Sequence, residues 1–135
     1  MNGEKKEILV ADDEAGFRAL FKFMLEPRGF IVSTVNDGAE ALESVEKSDY
    51  ALIFLDVHMP RMTGPEALKK IRELKPAQPV VILSSSAEPD KVAELTRGLG
   101  ASACFQKPFN TNDIFQIIED ILGTSLTGKR NGNVS

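Results

Sequence analysis

The feature that most constrains the fold is a fivefold alternation of short apolar runs with segments of helical periodicity. Gly or Pro stands at most of the junctions between them. The apolar runs, rich in Ile, Val and Phe, predict strands at Ile8–Ala11, Phe30–Val35, Ala51–Leu55, Val80–Leu83 and Ala103–Gln106. The periodic segments predict helices near Glu14–Leu25, Ala39–Ser48, Pro65–Leu74, Lys91–Leu99 and Thr111–Leu122.

The near-continuous apolar character of four strands is typical of a parallel sheet covered on both faces, with a crossover helix after each strand. The chain has 135 residues and 42% apolar content, enough for one packed core. We therefore predict a doubly wound α/β domain of five parallel strands and five helices over residues 1–122. After Leu122 the composition turns polar, which predicts a flexible tail at 123–135.

Charge and composition exclude several functions. The net charge is −4 and the basic residues are dispersed, so no direct binding of nucleic acid is expected. The apolar runs are too short to span a membrane, and the chain opens with charged residues rather than a signal peptide, which predicts a cytoplasmic protein. Cys104 is the only cysteine, which excludes an internal disulfide and a thiolate zinc cluster.

Polar side chains follow four of the five predicted strands. Asp12 and Asp13 follow the first strand, Asp56 the third, Ser84–Ser86 the fourth and Lys107 the fifth. Open parallel sheets place their ligand crevice beyond the carboxyl ends of the strands. We therefore expect these side chains to converge on one site.

Three carboxylates at one edge of a sheet would repel one another unless a cation neutralised them. Magnesium fits, since it prefers oxygen ligands and typically uses one or two carboxylates plus phosphate oxygens. We therefore predict Mg²⁺ at Asp12, Asp13 and Asp56. No EF-hand spacing is present, and the lone His58 cannot supply the imidazoles of a typical zinc site.

Asp56 is the candidate nucleophile, because a carboxylate beside a cation and a lysine is arranged to attack a phosphoryl group and form an acyl phosphate. Lys107 and a serine hydroxyl would bind phosphoryl oxygens. We expect Asp56 to be ionised at neutral pH, with its pKa lowered by the nearby cation. Taken singly, an Asp at the start of a helix would be interpreted as an N-cap, Ser84–Ser86 as a cap or turn, and Lys107 as a solvated surface charge. Only their joint placement favours a functional site.

The segments ILVADDE, LIFLDVHMPRMTG, PVVILSSS and KPF resemble receiver domains of two-component response regulators, over about residues 7–122. The resemblance implies a flavodoxin-like strand order 2-1-3-4-5 and a stand-alone domain similar to chemotaxis regulators. It implies that Asp56 is the phosphoacceptor. Asp13 would bind Mg²⁺ directly, Asp12 would act through ordered water, and His58 would coordinate the ion by its backbone carbonyl. Lys107 would be the invariant lysine of the family, followed by a cis peptide bond to Pro108, and Met59, Pro60 and Gly64 would form the turn after the acceptor.

Two positions fit the family pattern less closely. The first is the Ser or Thr after the fourth strand whose hydroxyl moves in the family's switch. Aligning the chain forward from Pro79 selects Ser84, which we predict, whereas aligning it backward from Gly100 selects Ser85. Cys104 stands three residues before Lys107, where many family members carry a switching aromatic residue. Phe105 is adjacent but is expected to point to the opposite face of the sheet.

The resemblance further implies a histidine kinase or a histidine phosphotransfer protein as phosphodonor, docking near Ala15, Arg18 and Ala19. A downstream protein would read the surface of helix four, strand five and helix five, about Lys91–Leu122. Phe115 is expected either in the core or on that surface. The chain would be a monomer or a phosphorylation-dependent homodimer. It would act through protein contacts, since no output domain follows, or be a fragment of a longer chain.

Two alternatives stay open. A scaffold that keeps the fold without phosphorylation would form no acyl phosphate. A phosphatase with an aspartyl nucleophile shares the Asp, Lys, Ser and magnesium chemistry. However, His58 replaces its second catalytic Asp, and no cap domain fits. We therefore expect no enzymatic activity beyond self-phosphorylation and autodephosphorylation.

Overall fold

The computed structural model describes residues 5–126, which form one parallel five-stranded sheet of order β2-β1-β3-β4-β5. The strands are β1 Glu7–Ala11, β2 Ile31–Val35, β3 Leu52–Asp56, β4 Val80–Ser84 and β5 Ala103–Gln106. The helices are α1 Ala15–Leu25, α2 Gly38–Lys47, α3 Gly64–Leu74, α4 Pro89–Gly98 and α5 Thr111–Leu122. The predicted fold class and strand order are confirmed.

The boundaries differ from the prediction by one or two residues. Glu14 has an extended backbone, with φ −95° and ψ 116°. It therefore occupies the N-cap position, and Ala15 is the first helical residue of α1. Phe30 lies before β2 because its N–H donates to the Leu25 carbonyl instead of joining the sheet. The helix α4 begins at Pro89, since proline is tolerated in a first turn. Asp56 belongs to β3 itself as its last residue.

The core has two halves, one on each face of the sheet. Buried side chains of α1 and α5, including Phe21 and Ile118, pack with Phe54 on one face. Those of α2 and α3, including Val45 and Ile71, pack on the other. The strands β3 and β4 are buried along their whole length, as predicted for a sheet covered on both faces.

Side-chain caps fix where three of the helices begin. Asp37 accepts a hydrogen bond from the Glu40 N–H at the start of α2. Thr63 and Glu66 form a reciprocal capping box at α3, and the Asn110 side chain caps α5. By contrast, the Glu14 side chain makes no capping hydrogen bond to α1. Its carboxylate is therefore not committed to holding the helix end.

Phe115 belongs to the core, which makes the predicted core placement correct and the surface placement wrong. Its ring is buried, and the Arg28 guanidinium lies 4.2 Å from the ring centroid.

Leu126, within the predicted tail, packs against the same core, and its N–H donates to the Glu119 carboxylate. Residues 127–135 of that tail lie outside the described residues. Of the helices between residues 5 and 126, none is long and apolar enough to cross a membrane.

Candidate functional site

The predicted site residues meet at the carboxyl edge of the sheet. The parallel register pairs Ala11 with Leu55 and Asp56 with Leu83. It also pairs Ser84 with Gln106, next to Lys107. Because all these strands end at the same edge, the polar residues that close or follow them share one crevice.

Asp12, Asp13 and Asp56 form the acidic cluster. One carboxylate oxygen from each lies within 4.8 Å of the others. Asp12 and Asp56 are buried, whereas Asp13 is exposed and opens the cluster to solvent. This arrangement has the oxygen donors and the open side that a partly hydrated Mg²⁺ requires.

Two buried oxygens of this cluster support the fit to a cation. Within residues 5–126, Asp12 Oδ2 and Asp56 Oδ1 receive no hydrogen bond of good geometry, and their ion pairs are to the Lys107 ammonium, 3.0 and 3.6 Å away. One ammonium does not neutralise three carboxylates, and a bound cation would add the missing positive charge. The side chain of His58 is exposed, and the residue lies just after β3. Its backbone carbonyl is predicted to complete the set of metal ligands.

Lys107 is the buried cation of the site. Its Nζ lies 2.8 Å from Glu14 Oε1, 3.0 Å from Asp12 Oδ2 and 3.6 Å from Asp56 Oδ1. Burial disfavours the ammonium, but the hydrogen bond to Glu14 and the close carboxylates of Asp12 and Asp56 outweigh it, so the pKa of Lys107 is raised. The lysine is therefore charged at neutral pH. The predicted cis peptide bond before Pro108 is confirmed.

The protein groups around Asp56 raise its pKa when no metal ion is bound. Burial, followed by the negative charge of Asp12, raises the pKa of Asp56 to about 6 and outweighs the opposing charge of Lys107. The lowering of the Asp56 pKa by a bound cation stays a prediction for the site that holds Mg²⁺. At pH 7 about nine-tenths of Asp56 is still ionised, so its role as a nucleophile is preserved.

The structure places Ser84, not Ser85, in the crevice. Ser84 ends β4 and is almost fully buried, whereas Ser85 is exposed. The Ser84 hydroxyl accepts a hydrogen bond from the Ser86 N–H at 3.0 Å, and the Ser84 carbonyl accepts one from the Lys107 N–H at 2.7 Å. Ser84 therefore supplies a buried hydroxyl at the strand end beside β3, whereas the Ser85 side chain is exposed.

The loop between β3 and α3 is fastened at both ends. Arg61, with φ 67°, donates from Nε to Asp37 Oδ2 at 2.9 Å, and the Gly38 N–H donates to the Met62 carbonyl at 3.1 Å. At the other end, Gly64 packs so closely on β3 that an added Cβ would lie 2.3 Å from the Asp56 carbonyl oxygen. The loop predicted to supply a metal ligand is therefore held against the acceptor.

Cys104 and Phe105 point to opposite faces of the sheet, as predicted. Phe105 packs with the α1 and α5 half of the core, and Cys104 with the other half. Burial raises the pKa of the Cys104 thiol, so the thiol is neutral at pH 7. A small neutral side chain thus occupies the position where an aromatic residue was expected from the family pattern.

Two site residues were missed from the sequence, Glu14 and Phe17. Glu14 makes the shortest ion pair of the Lys107 ammonium, and the Phe17 ring centroid lies 4.1 Å from that ammonium. The available signal was the third acidic residue in the run Asp12-Asp13-Glu14, with Phe17 one turn later on the same side of α1.

Known protein families and curated proteins include close matches to this sequence. A family profile described as "Response regulator receiver domain" matches residues 8–119. The transcriptional regulatory protein CpxR homolog of Haemophilus influenzae is 39% identical over 126 residues, which cover 93% of this chain and 54% of that protein. The chain spans about half the length of the first curated relatives it matches.

Solved structures share the fold. A CheY-like response regulator receiver domain protein from Methanospirillum hungatei superposes with a TM-score of 0.83 at 28% identity, covering 89% of this chain and 95% of that one. The response regulator TrrA from Thermotoga maritima, solved in complex with Mg²⁺ and BeF, gives 0.78 at 29% identity, covering 86% and 98%.

Proposed function

This chain belongs to the response regulator receiver domains, and on that premise we propose that Asp56 accepts a phosphoryl group from a phosphohistidine donor in a two-component phosphorelay. The observation that carries the proposal is the buried Asp56 carboxylate at the end of β3, with Lys107 Nζ 3.6 Å from its Oδ1. A nucleophile and a cation are thereby placed where a phosphoryl group can enter between them.

In the proposed transfer, an Asp56 carboxylate oxygen attacks phosphorus as the bond from phosphorus to the donor nitrogen breaks. Lys107 neutralises charge on one phosphoryl oxygen, and the Ser84 hydroxyl donates to another. Asp13 and Asp56, the His58 backbone carbonyl and, through water, Asp12 would hold Mg²⁺. Bound there, Mg²⁺ supplies positive charge that stabilises the phosphoryl group. The Mg²⁺ complex of the T. maritima relative supports this choice of ion.

The partners follow from the same proposal. A histidine kinase or histidine phosphotransfer protein would dock beside α1, where Ala15 and Ala19 are exposed and Arg18 donates to the Asp12 carbonyl. A downstream protein would read α4, β5 and α5 after phosphorylation shifts the loop after β4. We propose that the protein acts in the cytoplasm, as a monomer or a phosphorylation-dependent homodimer, without binding nucleic acid through this domain.

We further propose that the chain is not a phosphatase. Two residues after Asp56 stands His58, which is exposed, so no carboxylic acid occupies that position to protonate a leaving group. The chemistry would end with an acyl phosphate that water hydrolyses. A switch of this kind changes state once per phosphoryl group rather than turning over substrate.

The test is incubation with acetyl phosphate and Mg²⁺ followed by intact-mass measurement. We expect the mass to rise by one phosphoryl group, and chelation of Mg²⁺ with EDTA to abolish the rise. No rise in either sample would favour the scaffold that keeps the fold without phosphorylation. Multiple turnovers on an aryl phosphate would instead favour the phosphatase.

A further inference from the structure

The shortest contact of the Lys107 ammonium is to a residue outside the transfer chemistry. Nζ donates a hydrogen bond to Glu14 Oε1 at 2.8 Å, whereas Asp12 Oδ2 at 3.0 Å receives no hydrogen bond of good geometry and Asp56 Oδ1 lies 3.6 Å away. A hydrogen bond between an ammonium and a carboxylate at 2.8 Å is short and charge-assisted, whereas 3.6 Å is an ion pair without a hydrogen bond. The lysine is therefore held more closely to the start of α1 than to the acceptor.

The Phe17 ring completes the binding place of the lysine on α1. Its centroid is 4.1 Å from the ammonium, within the range of a cation–π contact. The ring packs on Phe109 at 5.7 Å between centroids, and Phe109 packs on Phe21 at 5.5 Å. Because these partners anchor Phe17, the ring presents a fixed surface to Lys107.

The Glu14 carboxylate is available for this contact. It makes no capping hydrogen bond to α1, and it is not a member of the acidic cluster formed by the three aspartates. Its backbone N–H donates to Asp12 Oδ1 at 2.9 Å, which fixes the residue beside the site. The side chain is 58% exposed, so its replacement leaves the core intact.

We propose that Glu14, supported by the Phe17 ring, is a positioning residue that holds the Lys107 ammonium on α1 until a phosphoryl group at Asp56 draws it away. The inference rests on the proposed function, since it concerns how the same lysine reaches the phosphoryl group. Each transfer then requires the contact between Lys107 and Glu14 to break. Glu14 therefore slows phosphorylation and couples the first turn of α1 to the state of the acceptor.

The kinetic test compares the parent with Glu14→Gln in acetyl phosphate and Mg²⁺. Glutamine keeps the size and an acceptor oxygen but loses the charge, so the rate constant of phosphorylation should rise about two- to fivefold, as expected for a half-exposed ion pair. Removing any negative charge could speed the reaction of an anionic donor. Glu43→Gln is therefore the matched control, because Glu43 pairs with the exposed Lys47 on α2, away from the site, and we expect it to react at the parent rate.

A spectroscopic measurement reports the contact without any phosphoryl group. In the parent, the Phe17 ring should shift the NMR signals of the Lys107 ε-methylene protons upfield. Phe17→Leu should abolish this shift, and Glu14→Gln should reduce it. An unchanged shift in Glu14→Gln would overturn the proposal, because the lysine would then rest on the ring without Glu14.

The outcomes separate this inference from the proposed function. If the parent takes up a phosphoryl group and Glu14→Gln reacts at the rate of the parent, or no faster than Glu43→Gln, only the role of Glu14 is overturned. If the parent takes up no phosphoryl group, both fall together. Faster uptake in Glu14→Gln alone, with a reduced ring shift, supports the positioning role.

Discussion

Replacing Asp56 with Asn should raise the free energy of unfolding of the metal-free protein at pH 7 by about 3 kcal/mol. Burial and the charge of Asp12 raise the pKa of Asp56 to about 6, so the ionised carboxylate is disfavoured in the folded state. Asparagine keeps the shape of the side chain and removes the charge. Urea unfolding in EDTA measures the difference.

The pH dependence of this gain has a defined sign. A carboxyl group whose pKa is raised by folding contributes stability below its ordinary pKa, and that contribution is lost as the pH rises through about 6. The advantage of Asp56→Asn should therefore be small near pH 4 and complete by about pH 7. An advantage that stays constant over this range would contradict the assignment.

The contrasting control is Asp37→Asn. The hydrogen bond from Arg61 holds the pKa of Asp37 below its usual value, so this buried carboxylate stabilises the folded state when ionised. Its replacement should lower the free energy of unfolding at pH 7, whereas Asp56→Asn raises it. Saturating Mg²⁺ should stabilise the parent but not Asp56→Asn, because the variant has lost a predicted ligand.

Replacing Gly64 with Ala should lower the free energy of unfolding by about 3 kcal/mol and prevent phosphoryl uptake. The added Cβ would lie 2.3 Å from the Asp56 carbonyl oxygen and 3.0 Å from Val57 Cα, and both are backbone atoms that cannot rotate away. The start of α3 must then move from β3, which breaks the hydrogen bond from the Gly64 N–H to the Val57 carbonyl. Thermal unfolding and intact-mass measurement check the two effects.

The matched control is Gly16→Ala in α1. A Cβ at Gly16 would meet nothing within 4 Å, and alanine favours a helix over glycine by about 0.5–1 kcal/mol. This variant should be slightly more stable than the parent and take up a phosphoryl group normally. If Gly64→Ala were as stable as Gly16→Ala, this result would contradict the close packing of the start of α3 on the backbone of Asp56.

Much of the site was predictable because it depends on topology. Once the apolar pattern indicates parallel strands, the residues that close them must meet at one edge, which brings Asp12, Asp13, Asp56 and Lys107 together. The predicted choice of Ser84 agrees with the strand register, since β4 pairs Ser84 with Gln106, the neighbour of Lys107. Fold class and strand order follow from the same pattern and the resemblance to receiver domains.

Other features depend on contacts that no local pattern encodes. The hydrogen bond of Lys107 to Glu14 joins residues 93 positions apart. The raised pKa of Asp56 sums the burial contributed by several elements. Phe115 lies at the margin of an apolar arc, and its burial, with Arg28 against its ring, is decided by packing that helix periodicity does not describe.

The most direct test of the central claim is to locate the phosphoryl group. The protein is incubated with acetyl phosphate and Mg²⁺, and the acyl phosphate is reduced with borohydride, which converts a phosphorylated aspartate to homoserine. Peptide mapping then identifies the residue, with Asp56→Asn treated in parallel. The account predicts homoserine at position 56 and no labelling of the variant. Homoserine at Asp12 or Asp13, or labelling that survives Asp56→Asn, would contradict it.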